Sequence, residues 1–187
     1  LLGAIGQIGM RKGLDVLLQA VAPIIRRHDD VHLLLVGQRY SQKDEAIEYE
    51  EQLRRDASLE PLQSHVHFLG VRNDVASFMN DLDILVHAAR HEPLGRVLVE
   101  AAASGLPTVA TNVGGTSEIF PPQSHTALVV PADSANALAA ATESLIQDPM
   151  GRDQMGKLAR ARAEELFSAE KAAEHLVGHY REVLASP

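Results

Sequence analysis

The sequence predicts an α/β domain in which helices cover both faces of a doubly wound, mainly parallel sheet of six strands. Short apolar runs recur along the chain, and segments with helical periodicity separate them. Strands that are apolar throughout are typical of parallel sheets buried on both faces, and strand–helix–strand alternation indicates crossover connections. Because the chain has 187 residues, we expect a single domain with a sizeable core over residues 1–187.

The six strands are predicted from runs of apolar residues that end at Gly, Pro, Asn or Asp. In chain order they are LLGAI (1–5), VHLLLVG (31–37), HVHFLG (65–70), DILVHA (83–88), PTVATN (107–112) and TALVVP (126–131). Helices are predicted near 12–28, 43–57, 74–80, 95–104, 134–148, 149–167 and from 168 onward.

The helices are justified by apolar residues three or four positions apart and by their capping residues. The first helix begins near Lys12 and turns one apolar face to the sheet: Leu14, Leu17, Leu18, Val21 and Ile25. After Pro131 the pattern is wholly helical, with predicted caps at Asp133–Ser134 and at Ser168. The last helix carries one apolar stripe: Leu176, Tyr180, Val183 and Leu184.

Composition excludes several classes of protein. The chain has no Cys, which rules out disulfides, thiol catalysis and Cys-based zinc sites. Its net charge of −8 argues against a general nucleic-acid binder. No run approaches the roughly 18 apolar residues of a membrane helix, and the start LLGAIG lacks the features of a signal peptide. We therefore expect a cytoplasmic domain cut from a longer protein.

A ligand site is expected at the carboxyl ends of the strands. In open α/β sheets ligands bind there, where the strand order switches. Three features fall at such ends: the loop 6–13 after the first strand, Gly37 after the second, and residues 88–94 after the fourth. The loop GQIGMRKG offers glycine amides and the cations Arg11 and Lys12 to a phosphate, although its local chemistry taken alone favours a flexible turn with exposed basic residues.

Two glutamates, Glu92 and Glu100, lie in the segment HEPLGRVLVEAAASG. A glycosidase pair requires carboxyls roughly 5 to 9.5 Å apart, whereas eight helical steps span about 12 Å. Two acids at opposite ends of one elongated ligand fit this spacing better. An exposed glutamate on an Ala-rich helix remains the alternative for Glu100.

Histidines raise a metal hypothesis that the spacing does not support. His175 and His179 form an i, i+4 pair, but a third ligand at a typical spacing is missing from the sequence nearby. The acidic segment DLD (81–83) precedes the fourth strand and so lies at the wrong end of the sheet. His87 and His91 lie near the expected site and are given no catalytic role. We expect no metal and no cofactor.

The motifs, taken together, resemble those of retaining glycosyltransferases of family four. The resemblance covers nearly the whole chain, and its most specific part is Glu, seven residues, Glu, with SGLPTVAT and GGTSEI following. It implies a Rossmann-like domain that forms the C-terminal, donor-binding half of a GT-B fold. The N-terminal acceptor domain of the same protein is then absent from this chain, and any peripheral contact with a membrane belongs to that half.

The resemblance also implies roles for individual residues. Glu92 lies beside the hydroxyls of the donor sugar and Glu100 bonds the ribose, while Lys12 contacts the diphosphate; Glu92 and Lys12 are the catalytic pair. The remaining donor-binding residues are Gly6, Gln7, Arg11, Gly37, Val71 and Arg72, with the last two near the base, and the helix-start segment Leu94, Gly95, Arg96 and Val97, whose amides face the diphosphate and sugar.

The sequence departs from the family pattern at several positions. Gln7 replaces the usual arginine five residues before Lys12, and Pro93–Leu94 and Ala88–Ala89 replace common Gly-Phe and Pro-Ser pairs. The resemblance implies a metal-independent hexosyltransferase that uses a UDP- or GDP-sugar and an unknown glycan, lipid or small-molecule acceptor, with an isolated domain that is inactive. The alternatives are a non-catalytic nucleotide-binding module and, less well supported, a dinucleotide-binding domain of an oxidoreductase.

Overall fold

A computed structural model describes residues 1–185 of the protein. It shows a six-stranded parallel sheet flanked by helices. The strands are β1 (Leu2–Ile5), β2 (Leu33–Val36), β3 (Val66–Gly70), β4 (Ile84–His87), β5 (Thr108–Thr111) and β6 (Leu128–Val130). The helices are α1 (Leu14–Ile25), α2 (Asp44–Ala57), α3 (Val75–Asn80), α4 (Arg96–Ala103), α5 (Thr116–Ile119), α6 (Ala135–Gln147), α7 (Pro149–Leu166) and α8 (Ala169–Ala185). The predicted doubly wound α/β fold is confirmed.

The strand order is β3-β2-β1-β4-β5-β6, and each neighbouring pair is parallel. The chain builds one half of the sheet outward from β1 and then crosses back to place β4 on the other side of β1. The switch in strand order therefore lies between β1 and β4. The loops that follow these two strands lie side by side at the carboxyl edge.

Two apolar clusters hold the helices to the two faces of the sheet. On one face α1 and α6 pack together, with Leu17 and Ile24 fully buried against Leu33 and Ile84. On the other face α4 packs against α7, and the cluster there includes Leu98 and Phe120. Burying side chains of this size stabilises the fold by about 1.5–3 kcal/mol each. The predicted apolar face of α1 is confirmed.

The predicted caps of the C-terminal helices are confirmed in part. Ser134 Oγ accepts a hydrogen bond from the amide of Ala137, and Ser168 Oγ accepts one from Lys171. Asp133 lies before the cap and has a positive φ of 54°. The predicted stripe on α8 exists, but each of its four residues is more than half exposed to solvent. Within residues 1–185, no helix combines the length and apolar character that crossing a membrane requires.

Three short elements are missing from the sequence prediction: α5, a 3₁₀ turn at Pro122–Ser124 and a 3₁₀ turn at Met10–Lys12. The turn at Met10–Lys12 delays the start of the first helix from Lys12 to Leu14. Gly13 makes this junction with a φ of +60°, and a Cβ at that position would lie 2.1 Å from the carbonyl oxygen of Ala88. The turn therefore requires glycine and presses the first loop against the segment after β4.

Candidate donor-binding site

A cleft of about 900 Å³ opens at the carboxyl edge of the sheet. Loops after β1, β2, β3 and β4 form its walls, together with one face of α4. Most of the residues predicted for the site line it: Gly6, Gln7, Arg11, Lys12, Gly37, Val71, Arg72, Glu92, Arg96, Val97 and Glu100. Of the predicted set, Leu94 and Gly95 do not line the cleft. The strand-order switch thus gathers residues that are more than 90 positions apart in sequence.

Lys12 and Glu92 form an ion pair at the floor of the cleft, although 80 positions separate them. Their side chains are only 11% and 10% exposed. Lys12 reaches the site from the 3₁₀ turn after β1, and Glu92 from the loop after β4. A pair this well buried is strongly coupled, because little water remains to screen the two charges.

His87 lies beside this pair, at the end of β4. Its ring is 5% exposed, and Nε2 lies 3.2 Å from Oε2 of Glu92. Burial lowers the pKa of His87 below its ordinary value, so the ring is neutral at physiological pH. The sequence predicts no role for His87, because the pattern of a buried strand does not show which of its side chains lies next to a distant carboxylate.

Glu92 is ionised over the whole physiological range. The neighbouring His87 ring and then Lys12 lower its pKa to about 2, against the opposing effect of burial. Its other oxygen, Oε1, accepts a hydrogen bond from the amide of Gly95 at 3.1 Å. Glu92 therefore presents a fixed, negatively charged acceptor to the cleft and has no proton to donate.

The start of α4 differs from the arrangement that the resemblance implied. The Gly95 amide was expected to face a ligand, but it is occupied by Glu92 because the tight turn Pro93–Gly95 folds the carboxylate back over it. Leu94 is exposed outside the cleft lining. The amides of Arg96 and Val97 belong to the first turn of α4, which has no intrahelical acceptor for them. These two amides remain for an anionic ligand.

Glu100 lies one turn after Arg96 on the same face of α4, and it lines the cleft. Its side chain is 45% exposed, and its nearest charged partner is Arg96, 3.5 Å away and itself largely in solvent. A carboxylate in this environment keeps accessible lone pairs. It is free to accept hydrogen bonds from hydroxyl groups of a bound ligand.

The cations of the cleft differ in how far they are committed to other groups. Lys12 is paired with Glu92, and Arg72 is held by Asp74 and stacked on Phe78 at 4.9 Å. Arg11 is exposed in the cleft, and within the described part of the chain its side chain has no partner. Arg11 is thus the uncommitted cation of the first loop.

The metal hypotheses find no geometric support. Across residues 1–185, no group of three His, Asp or Glu side chains is placed to hold an ion. His175 and His179 lie exposed on α8. Asp83 sits before β4, where its amide bonds to the carbonyl of Leu1 at the amino edge of the sheet, as its position in the sequence predicted.

Fold and cleft together define an α/β ligand-binding domain whose site suits a polar, anionic ligand at the carboxyl edge of a parallel sheet. The chain belongs to the family described as glycosyl transferases group 1, whose model matches residues 1–148. Its Rossmann-like fold corresponds to that of GT-B glycosyltransferase domains.

Individual relatives agree with this assignment. The chain is 35% identical over 176 residues to a GDP-mannose-dependent mannosyltransferase acting on a monoacylated phosphatidylinositol monomannoside, from Corynebacterium glutamicum, covering 89% of the chain and 43% of the relative. It is 31% identical over 182 residues to a D-inositol 3-phosphate glycosyltransferase of Paenarthrobacter aurescens, covering 96% and 43%. The structure of Anabaena Alr3699/HepE with UDP and glucose matches with a TM-score of 0.86 and 26% identity, covering 100% and 48%. The chain therefore spans less than half the length of each of these relatives.

Proposed function

We propose that this chain is the donor-binding domain of a glycosyltransferase that moves a sugar from a nucleoside-diphosphate sugar to an acceptor with retention of configuration. The observation that carries the proposal is the gathering of Lys12, Glu92, Glu100 and the start of α4 around one cleft. Relatives that use GDP-mannose or were crystallised with UDP support a UDP- or GDP-sugar as the donor.

The cleft has an order that matches the parts of such a donor. We assign the nucleoside end to Val71 and Arg72 after β3, the ribose to Glu100, and the diphosphate to the amides of Arg96 and Val97. The start of a helix carries about half a positive charge and binds phosphate well. This places the sugar over Glu92 and Lys12.

Transfer of the sugar leaves a nucleoside diphosphate, and its developing negative charge must be stabilised for the bond to break. In our proposal Lys12, Arg11 and the α4 amides provide that stabilisation, as fixed donors and charges do in other enzymes. Glu92 accepts hydrogen bonds from sugar hydroxyls and orients the sugar. Because its pKa is far below neutrality, it does not act as a general acid.

In this proposal Arg11 binds the diphosphate in place of the family's usual arginine, whose position Gln7 occupies. Arg11 is the free cation of the same loop, and it lies within the cleft. An arginine binds phosphate oxygens through two parallel hydrogen bonds, which a neutral glutamine cannot do. The Gln7 substitution also favours a second candidate, a nucleotide-binding module without transferase activity; sugar transfer by the full-length protein distinguishes the two.

The rest of the enzyme lies in the other half of the protein. We propose that an N-terminal domain provides the acceptor site for a glycan, a lipid or a small molecule and also any contact with a membrane. The domain alone then binds the donor and turns over little, in the cytoplasm and without a metal ion.

Calorimetric titration tests donor binding directly. The domain is titrated with UDP, GDP and ADP and with UDP-glucose and GDP-mannose, in buffer with and without EDTA. We expect one diphosphate to bind and EDTA to leave its affinity unchanged. If EDTA abolishes binding, the proposal that the site needs no metal ion is wrong. If none of the nucleotides binds, the proposed function itself is wrong.

Two matched variants test which part of the donor each of the two glutamates binds. Glu100→Ala is expected to weaken the plain nucleoside diphosphate by about 1.5–3 kcal/mol, the usual value of hydrogen bonds to a charged group. Glu92→Ala is expected to affect mainly the sugar-bearing donor. Equal losses for both ligands in both variants show that these roles are wrong.

A further inference from the structure

Arg90, two residues before Glu92, makes a set of contacts that the proposed donor site does not use. Its Nη1 donates to the carbonyl of Met10 and to Oδ1 of Asp15, both at 2.8 Å, and its Nη2 donates to Oδ2 of Asp15 at 2.7 Å. Its Nε donates to Asp133 at 2.6 Å, and its backbone amide to the carbonyl of Arg11 at 2.8 Å. One residue thus joins the loop after β4 to the first loop, to α1 and to the turn before α6.

The partners of Arg90 are themselves fixed. The hydroxyl of Tyr49 on α2 donates to Oδ1 of Asp15 at 2.8 Å, and the Asp15 amide donates back to the hydroxyl. Burial alone raises the pKa of Asp15, but the hydrogen bonds from Arg90 and Tyr49 outweigh it and lower that pKa. Burial and Asp15 together raise the pKa of Tyr49 above its ordinary value. Asp15 is therefore a charged anchor, and Arg90 is bound to it through its two terminal nitrogens, Nη1 and Nη2.

The anchored segments are the ones that carry the buried ion pair. The carbonyls of Met10 and Arg11 immediately precede Lys12 in the 3₁₀ turn, and Glu92 lies two residues after Arg90. We propose that Arg90 is a positioning residue that holds the turn of Lys12 against the loop of Glu92 and so keeps the floor of the donor cleft assembled. The sugar-binding consequence rests on the proposed function, whereas the positioning itself does not.

A guanidinium suits this role and an ammonium does not. Arg90 directs donors from three nitrogens to two carboxylates and one carbonyl in a planar fork. Lysine carries one compact charge on a flexible stem and cannot meet three acceptors in fixed directions. Arg90 does not line the cleft, so it acts on a ligand through the residues it positions, which are the first loop with Arg11 and Lys12 and the loop that carries Glu92.

The titration of Glu92 measures the positioning without any ligand. The carboxyl carbon of Glu92 is followed by NMR from pH 7 to pH 3 in the wild type, Arg90→Met, Arg90→Lys and the control Arg27→Lys. Arg27 also holds a carboxylate with two bonds, to Glu143, but far from the cleft on an exposed surface. We expect a flat signal in the wild type and in the control, because the pKa of Glu92 is about 2.

In Arg90→Met, the Glu92 midpoint is expected to rise by about one unit or more, since Lys12 is no longer held against it. Arg90→Lys is expected to lie between that variant and the wild type. A flat Glu92 signal in a folded Arg90→Met overturns the proposal. If Arg90→Met does not fold, Asp133→Asn, which removes one anchor only, is judged by the same rise in midpoint.

Binding of UDP and uridine separates positioning from general destabilisation. Arg90→Lys is expected to bind UDP roughly tenfold more weakly and uridine as the wild type does, because only the diphosphate depends on the first loop. A loss that uridine shares equally shows a structural role and overturns the inference. If the wild type binds neither UDP nor any other nucleotide, the proposed function fails, and the Glu92 titration alone still decides on Arg90.

Discussion

Removing the charge of Glu92 should destabilise the protein far more than removing that of Glu100. The substitution Glu92→Gln keeps the size of the side chain and an acceptor for the Gly95 amide, but it leaves Lys12 charged in a site where that lysine is only 11% exposed. Breaking a buried pair from one side costs about 3–5 kcal/mol.

The pKa of Glu92 gives an independent magnitude for the same substitution. A fall from the ordinary 4.5 to about 2 corresponds to about 3 kcal/mol at neutral pH, because each unit is worth about 1.4 kcal/mol. Residual exposure and the new amide reduce this figure, so we expect a loss of about 2–3 kcal/mol. Glu100→Gln breaks only a pair between exposed groups and should cost less than about 0.5 kcal/mol.

The assay is urea unfolding followed by circular dichroism, because the chain has no Trp. The sign of the pH dependence follows from the lowered pKa: the contribution of Glu92 is complete above about pH 4.5 and is lost as the pH falls towards 2. The difference between wild type and Glu92→Gln should therefore shrink by roughly half by pH 3. Adding Lys12→Met to Glu92→Gln should recover part of the loss, since no unpaired charge remains.

Two results would refute this reasoning. One is a Glu92→Gln protein as stable as Glu100→Gln at pH 7. The other is a difference from wild type that grows as the pH falls, which would mean that Glu92 is protonated more easily in the folded state than in the unfolded chain.

Three further predictions concern the loops and caps. Gly37→Ala should lower the free energy of unfolding, measured by thermal unfolding, by more than about 2 kcal/mol. The φ of Gly37 is +130°, and a Cβ there would lie 1.9 Å from the carbonyl oxygen of Gly6. The control Gly9→Ala places its Cβ in open space and should be nearly neutral. Ser134→Ala removes the cap of α6 and should lower the free energy of unfolding by about 1 kcal/mol, with a larger drop or none arguing against a simple cap. Gln7→Arg should tighten binding of the diphosphate up to about tenfold in calorimetry, with a gain that shrinks as salt rises; no gain means that the diphosphate lies away from the first loop.

The order and type of the main elements follow from the amino-acid sequence alone. All six strands were predictable because a strand buried on both faces is apolar at every position, and α1 and α4 followed from helical spacing and a glycine stop. The position of the cleft was predictable as well, because the carboxyl ends of parallel strands share one edge. These features depend on residues that are neighbours along the chain.

Which side chains meet in the cleft depends on how the chain folds in three dimensions. The pairing of Lys12 with Glu92, the burial of His87 and the anchoring of Arg90 on Asp15 all join residues far apart in sequence. Local sequence patterns give no information on the distance between such groups. A histidine in a strand has the same sequence pattern whether its side chain contacts a leucine or a carboxylate. The occupied Gly95 amide and the exposed stripe of α8 escaped prediction for the same reason, since periodicity identifies a face of a helix but not what packs against it.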